Sequence, residues 1–286
     1  MPATHSGEPS RGTGDRLVMS ASPGGQAARG RTRVLAQRLM LTVLTGTAMV
    51  LLSAPARTVA ETRVMLAPYG ETAQVGALFS LTAPDQLGMH FCTGSVVDSA
   101  AGDLVITAAH CVLGHTAGQM AFVPDYGSGR YPDGIWTVTR VIVDRYWQSA
   151  QDPDDDFAFL TVHRTGSSQS LESLTGAEAI AVGVPAGKHV EVAGYPDTAD
   201  AMVSCDNTAH AFSATQFRFS CTGFSDGTSG GPLLADVSPA DGLDTVIGVI
   251  GGYEQGGSTA SVSYAARFGG QLGALYQQAL AISGHR

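Results

Sequence analysis

Three short segments carry residue types that could together perform acyl transfer. In chain order they are Thr107-Ala108-Ala109-His110-Cys111, Asp156-Phe157-Ala158-Phe159-Leu160 and Gly227-Thr228-Ser229-Gly230-Gly231-Pro232. They supply a general base, a carboxylate to orient it, and a serine on a glycine-rich turn, which are the groups that serine-dependent acyl transfer requires. An α/β-hydrolase would run Ser, then Asp or Glu, then His. The order found here points away from that fold.

Ser229 is the candidate nucleophile. A serine hydroxyl attacks poorly until a base takes its proton in the transition state. Gly227, Gly230 and Gly231 let the backbone turn tightly around it. Such a turn can aim the amides of Gly227 and Ser229 at a developing oxyanion, where losing one donor costs about 3–4 kcal/mol. Glycine and serine are also the commonest turn residues, so this motif takes its weight from the other two. Ser95 lies at the start of a strand-like run without trailing glycines and is the decoy.

His110 is the candidate base. It ends the apolar run Leu104–Ala109 and is followed by a cysteine able to anchor it. His115 is its nearest rival among the eight histidines but falls in a Gly/Thr-rich loop. Asp156 is the candidate orienting acid because it is the last polar residue before Phe157-Ala158-Phe159-Leu160. Its neighbours Asp154 and Asp155 are expected to face solvent, with calcium binding as a remote alternative. A neutral His110 is needed for acylation, so activity should rise through the ordinary imidazole range, about pH 6.5–7. A flat profile from about pH 5 to pH 9 would argue against His110 as the base.

The elements that must position these groups read as strands. Gln74–Leu81, His90–Val97, Leu104–Ala108, Trp136–Val143, Phe157–His163, His189–Ala193, Phe217–Cys221, Val246–Ile250 and Ala260–Tyr264 are apolar or alternating. Clusters of Gly, Pro, Asp and Asn separate them. Many short strands at fairly regular spacing indicate an all-β sandwich or barrel. The single clear helix is the tail, Gly270 to Ile282, with Leu272, Leu275, Tyr276 and Leu280 on one face.

The 286-residue chain begins differently. An apolar stretch, Leu39–Leu52, follows Arg29, Arg31, Arg33 and Arg38 and precedes small residues. It is too short to span a bilayer comfortably, and the pattern is that of a Sec-type signal peptide. Cleavage is expected after Ala60, with Ala56 as a second site and an uncleaved anchor as the competing reading. Residues 1–60 are then a leader and residues 61–286 one domain.

The chain holds 16 basic and 25 acidic residues, and the leader carries seven Arg against Glu8 and Asp15. Residues 61–286 therefore hold nine basic and 23 acidic residues, a net charge of −14. Such an acidic surface disfavours nucleic acid and anionic membranes as partners.

All four cysteines, Cys92, Cys111, Cys205 and Cys221, lie beyond the leader. An even count behind a secretion signal suggests two disulfides. Three pairings are open, and the sequential one is taken as the expectation. Each bridge would close a short loop, worth roughly 3 kcal/mol in the chain-entropy model. Zinc is the alternative use of these cysteines, but neither CxxC nor HExxH spacing accompanies them.

Together these residues resemble the trypsin/chymotrypsin family of serine endopeptidases. Its TAAHC, D-[IFV]-A-[LF] and G-x-S-G-G-P motifs stand here around His110, Asp156 and Ser229. Phe91-Cys92-Thr93-Gly94-Ser95 is similar to the family's strand before the histidine, and Cys92–Cys111 to its histidine-loop disulfide. Within the family the chain is most similar to secreted actinobacterial trypsin-like peptidases. The resemblance implies two six-stranded antiparallel β-barrels, with the site in the cleft between them. It implies that Val249–Tyr253 is the strand beside the specificity pocket, with Gly251, Gly252 and Tyr253 binding substrate backbone. It also implies protein or peptide substrates, an extracellular monomer and no metal or organic cofactor.

Two departures bear on this resemblance. Where animal trypsins carry an Asp just before the serine, to pair with a new N-terminus, this chain has Thr228. No Ile-Val-Gly-Gly start is present, so competence is expected once the leader is removed. Mass spectrometry of active material would contradict this by finding a required second cut within residues 61–90. At the position of the trypsins' pocket Asp stands Gly223, while Asp226 lies only three residues before Ser229. A small or apolar P1 residue is therefore expected. An esterase-like hydrolase and a non-catalytic binding protein on the same scaffold are the alternatives.

Overall fold

The computed structural model describes residues 65–66, 73–236 and 244–284, all within one compact unit. The expected leader lies outside the described residues, as do His5 and His285. No helix among the described residues is long and apolar enough to cross a membrane.

The first barrel is built from β2 (Val75–Ala83), β3 (Gln86–Val96), β4 (Leu104–Thr107), β5 (Met120–Pro124), β6 (Trp136–Val143) and β7 (Ala158–His163). These close in the order β2-β3-β4-β7-β6-β5. The second barrel uses β9 (Lys188–Gly194), β10 (Val203–Ala211), β11 (Gln216–Phe219), β12 (Pro232–Ala235), β13 (Thr245–Ile250) and β14 (Ser263–Arg267). Antiparallel pairing runs β9-β10-β11-β14-β13-β12 and returns to β9. Two short strands attach to this sheet, β1 (Met65–Leu66) on β10 and β8 (Ala179–Ile180) on β13.

Three helices complete the described chain: α1 (Arg145–Ala150), α2 (Glu172–Thr175) and α3 (Gly270–Ile282). The tail helix falls where the pattern placed it, whereas the two short helices carry no sequence periodicity long enough to register.

Period-two alternation explains how two barrels share one seam. On β4, Val105 packs inside the first barrel with Phe122, Trp136 and Leu160. Its neighbours Leu104 and Ile106 face the other way, onto Phe159, Val249, Phe268 and Leu272. Strands buried on both faces read as continuous apolar runs, which is how these appear in the sequence. Helix α3 seals the seam with Leu272, Leu275 and Ala279. Full burial of each leucine there stabilises by about 1.5–3 kcal/mol. The second barrel has its own core around Val192, Phe217, Phe219 and Ile247.

One buried acid lies on this scaffold away from the chemistry. Glu178 is 2 % exposed and accepts a hydrogen bond from the Ser95 hydroxyl. Burial, with a smaller push from Asp244 and Glu191, raises its carboxyl from 4.5 to about 8 against the Ser95 bond. The unfolded chain gives up this proton near the ordinary value, while the folded chain keeps it to about 8. Stability therefore declines as pH rises between those values and levels off above them. Glu178→Gln stays neutral and keeps an acceptor for Ser95. Its Tm advantage over the wild type should grow between about pH 5 and pH 8; parallel pH courses for the two proteins would contradict this.

Candidate active site

The three motif residues meet at the seam. His110 opens a 3₁₀ turn, His110–Val112, just beyond β4. Asp156 immediately precedes Phe157 and β7, and Ser229 sits on the turn leading into β12. Strand β4 pairs with β7, Thr107 opposite Ala158, so the ends carrying His110 and Asp156 lie side by side.

Asp156 is fully buried and accepts three hydrogen bonds. The His110 amide donates to Oδ1 at 2.8 Å, while His110 Nδ1 and the Gly252 amide reach Oδ2 at 2.7 and 2.8 Å. A buried carboxylate needs such donors to stay ionised. The bond to Nδ1 leaves Nε2, the other ring nitrogen, as the one able to take a proton. The His110 side chain is 11 % exposed, so it remains reachable from the cleft.

The serine turn is fixed against the first barrel. Gly230 has φ +83°, and a Cβ there would lie 2.2 Å from both Thr107 Oγ1 and Thr93 O. Gly230→Ala should therefore cost about 2–5 kcal/mol from steric conflict and left-handed backbone together. Urea unfolding would measure it, and an unchanged midpoint would contradict the packing described.

The amides of Gly227 and Ser229 are both turned away from the carbonyls that hold their peptides. In a trans peptide the C=O and N–H point in opposite directions. The Asp226 carbonyl is held by the Asp197 amide at 2.8 Å, and the Thr228 carbonyl by the Gly231 amide at 3.0 Å. The N–H groups of Gly227 and Ser229 face the opposite way, and neither donates to a backbone carbonyl among the described residues.

The serine hydroxyl donates to the Gln255 carbonyl, 3.4 Å away, and no hydrogen bond joins it to His110. Catalytic hydrogen bonds are often loose without substrate, and a turn about one side-chain torsion would redirect this hydroxyl.

Several expectations need correction. Strand β13 ends at Ile250, so Gly251, Gly252 and Tyr253 do not continue it. Gly252 adopts φ +77°, its amide is taken by Asp156, and the chain curls into a turn over Tyr253–Gly256. That backbone conformation favours glycine, and a Cβ on Gly252 would also press on the Gln216 amide, 2.2 Å from its Oε1. Asp155 is buried instead of facing solvent. Burial, with the charges of Asp144, Asp152 and Asp154, pushes its carboxyl up to about 6.

Gln216 is a further residue of the site. Its Nε2 donates to Pro153 O and Asp154 Oδ1, both at 2.8 Å, and its Oε1 accepts from the Tyr253 amide at 3.3 Å. It thereby ties the Asp156 loop to the turn after β13. No spacing rule marks a glutamine for that task.

The rival residues are occupied elsewhere. His115 stacks on Phe91, ring centroids 4.5 Å apart, and Ser95 is bonded to Glu178. Cys92 is joined to Cys111 and Cys205 to Cys221. Cys92, His110 and Cys111 form a cluster of metal-ligand types, but both thiols are consumed by the disulfide.

Beside Ser229 opens a cavity of about 340 Å³, lined among others by Phe224, Ser225, Ile250, Thr259 and Ser263. Asp226 and Asp197 also line it, and Gly223 does not. A larger cavity of about 620 Å³, between Trp136, Thr161 and Ser170, contains none of the three motif residues.

The Trypsin family model matches residues 68–269. Among solved structures, the protease Anisep from Arthrobacter nicotinovorans is 26 % identical with a TM-score of 0.61, over 74 % of this chain and 98 % of its own. The thermostable serine protease AL20 from an extremophilic microorganism is 23 % identical, TM-score 0.61, over 74 % and 99 %. A Glu endopeptidase solved with MPD is 14 % identical, TM-score 0.59, over 78 % and 98 %. The last two show likeness of fold alone. No curated protein matches the sequence.

Proposed function

The chain belongs to the trypsin family and is a serine-type endopeptidase, and on that premise we propose that Ser229, His110 and Asp156 form its catalytic triad. The observation that carries this reading is the buried Asp156 carboxylate on His110 Nδ1 at 2.7 Å, beside a serine turn with two free amides.

On substrate binding the Ser229 hydroxyl leaves the Gln255 carbonyl and turns to His110 Nε2. Its oxygen attacks the scissile carbonyl while its proton passes to Nε2. Asp156 fixes the ring and offsets the imidazolium charge without itself taking the proton. The carbonyl oxygen, now an oxyanion, accepts from the Gly227 and Ser229 amides. The intermediate collapses, the C–N bond breaks, and His110 returns its proton to the leaving amine. Water then attacks the acyl-enzyme carbonyl while His110 takes its proton; the bond to Ser229 Oγ breaks, His110 returns the proton to that oxygen, and the acid is released. No metal or organic cofactor enters any step.

Residues 1–60 act as a secretion leader, residues 61–286 are the extracellular peptidase domain, and the mature enzyme is monomeric. The two disulfides support an oxidising destination. Nucleic acid and membranes are not partners. Gly251, Gly252 and Tyr253 border the substrate chain just beyond β13. The serine turn is held by internal hydrogen bonds, which supports competence without insertion of a new N-terminus. Because Gly223 stands where the trypsins' pocket Asp would, and Phe224 and Ile250 line the cavity beside Asp226 and Asp197, the P1 side chain in this reading is small or apolar.

Digestion of a proteome-derived peptide library by the secreted protein tests this reading. Internal cleavage after small or apolar residues is expected. Turnover of simple esters with no peptide cleavage would favour an esterase, and cleavage dominated by Arg or Lys would overturn the P1 assignment.

A further inference from the structure

We propose that Thr93 is a positioning residue that keeps the oxyanion hole open, by hydrogen bonds from the first barrel to both ends of the Gly227–Ser229 segment. The inference rests on the reading of the Gly227 and Ser229 amides given above.

Thr93 lies on β3 and is completely buried. Every polar group it has is committed at this seam. Its hydroxyl donates to Gly227 O at 2.9 Å and accepts from the Tyr195 amide at 2.8 Å. Its own amide donates to Ser229 O at 2.8 Å. Its carbonyl accepts from Thr107 Oγ1 at 2.7 Å.

The reason such a hold is needed lies in Gly227. At φ +92° it occupies backbone that only glycine enters freely, so the flanking peptides can rotate with little steric resistance. A peptide flip would aim a carbonyl where the amide should be and repel the oxyanion. The residue preceding Ser229 cannot prevent this by charge. Thr228 is uncharged, and its hydroxyl is spent on Ser225 O at 2.7 Å.

Thr93 supplies the missing restraint with neutral groups. Its hydroxyl pins the carbonyl of Gly227. By accepting from Tyr195 it also steadies the segment whose Asp197 amide holds the Asp226 carbonyl. Both peptides around Gly227 are thus held in the orientation that leaves its N–H free.

The test uses three secreted full-length proteins: wild type, Thr93→Val and Thr93→Ser. The valine keeps the shape and removes the hydroxyl; the serine keeps the hydroxyl. The probes are a fluorophosphonate, whose phosphoryl oxygen enters the hole, and p-nitrophenyl acetate, read as the acylation burst. T93V should react about 10- to 100-fold more slowly with both, a loss below that of deleting a hole donor outright. Its fluorophosphonate binding constant and the pH midpoint of the reaction should not change, because His110 and Asp156 are untouched. T93S should lie within about threefold of the wild type.

Rates for folded T93V equal to wild type would overturn the proposal. So would a shifted pH midpoint, or equal slowing of T93V and T93S with a lowered Tm, since either marks a merely structural role. Should T93V not fold, Thr93→Ala carries the same expectation and the same refutation. Failure of the wild type itself to react at Ser229 would instead remove the triad reading, and this inference with it.

Discussion

Ser229→Ala should lower kcat for peptide hydrolysis by about a millionfold, the scale on which loss of a triad nucleophile acts. KM should hardly move, because the hydroxyl contributes to bond making and not to ground-state binding. The fold should tolerate the change. Ser229 is only half-buried, and its hydroxyl makes one hydrogen bond, at 3.4 Å to Gln255 O. The residual rate should still exceed that in water, because the Gly227 and Ser229 amides survive and supply about 10³–10⁴-fold on their own. Kinetics with a library-selected peptide, beside circular dichroism, would check this. A folded S229A enzyme that keeps more than about a hundredth of wild-type kcat would remove Ser229 from the chemistry.

Asp156→Asn should reduce kcat by about 10⁴-fold. The carboxylate accepts from three donors, and an amide has one acceptor oxygen. Its NH₂ must face either the His110 amide or the pair formed by His110 Nδ1 and the Gly252 amide. In the first orientation two N–H groups confront each other in a site with no water access. In the second the ring loses its Nδ1 acceptor, so the tautomer with Nε2 as base is no longer favoured. A stability loss of about 1–3 kcal/mol should accompany the rate loss, because a buried donor is left without a partner. Activity should recover in part at high pH, where hydroxide can replace the general base. A variant with near-normal kcat at neutral pH would contradict the role given to Asp156, whatever its stability.

Much of this architecture was legible because the chemistry and the packing both leave short-range marks. The apolar runs around Leu104–Thr107 and Ala158–His163 are continuous because the barrel interior buries one face and the inter-barrel seam the other. His110 and Asp156 sit at the ends of those runs, where sequence position and spatial position coincide.

Other elements left weaker marks. Strand β10 contains Asp206, Asn207 and His210, and only part of it is buried, so its composition reads as loop. Strand β12 is four residues long and opens with Pro232, a position where the missing N–H is tolerated. The turn at Tyr253–Gly256 could not be foreseen, since it depends on Gln216 and Asp156 from distant parts of the chain. The burial of Asp155 has the same origin. Within an acidic run, each carboxylate's exposure is decided by tertiary contacts that local composition does not record.

Whether Ser229 is the nucleophile is decided by labelling the secreted protein with a fluorophosphonate probe and identifying the modified peptide by mass spectrometry. A single adduct on Ser229, absent from S229A, is the expected result. Folded, disulfide-bonded wild-type protein that takes up no probe, or carries it on another residue, would contradict it.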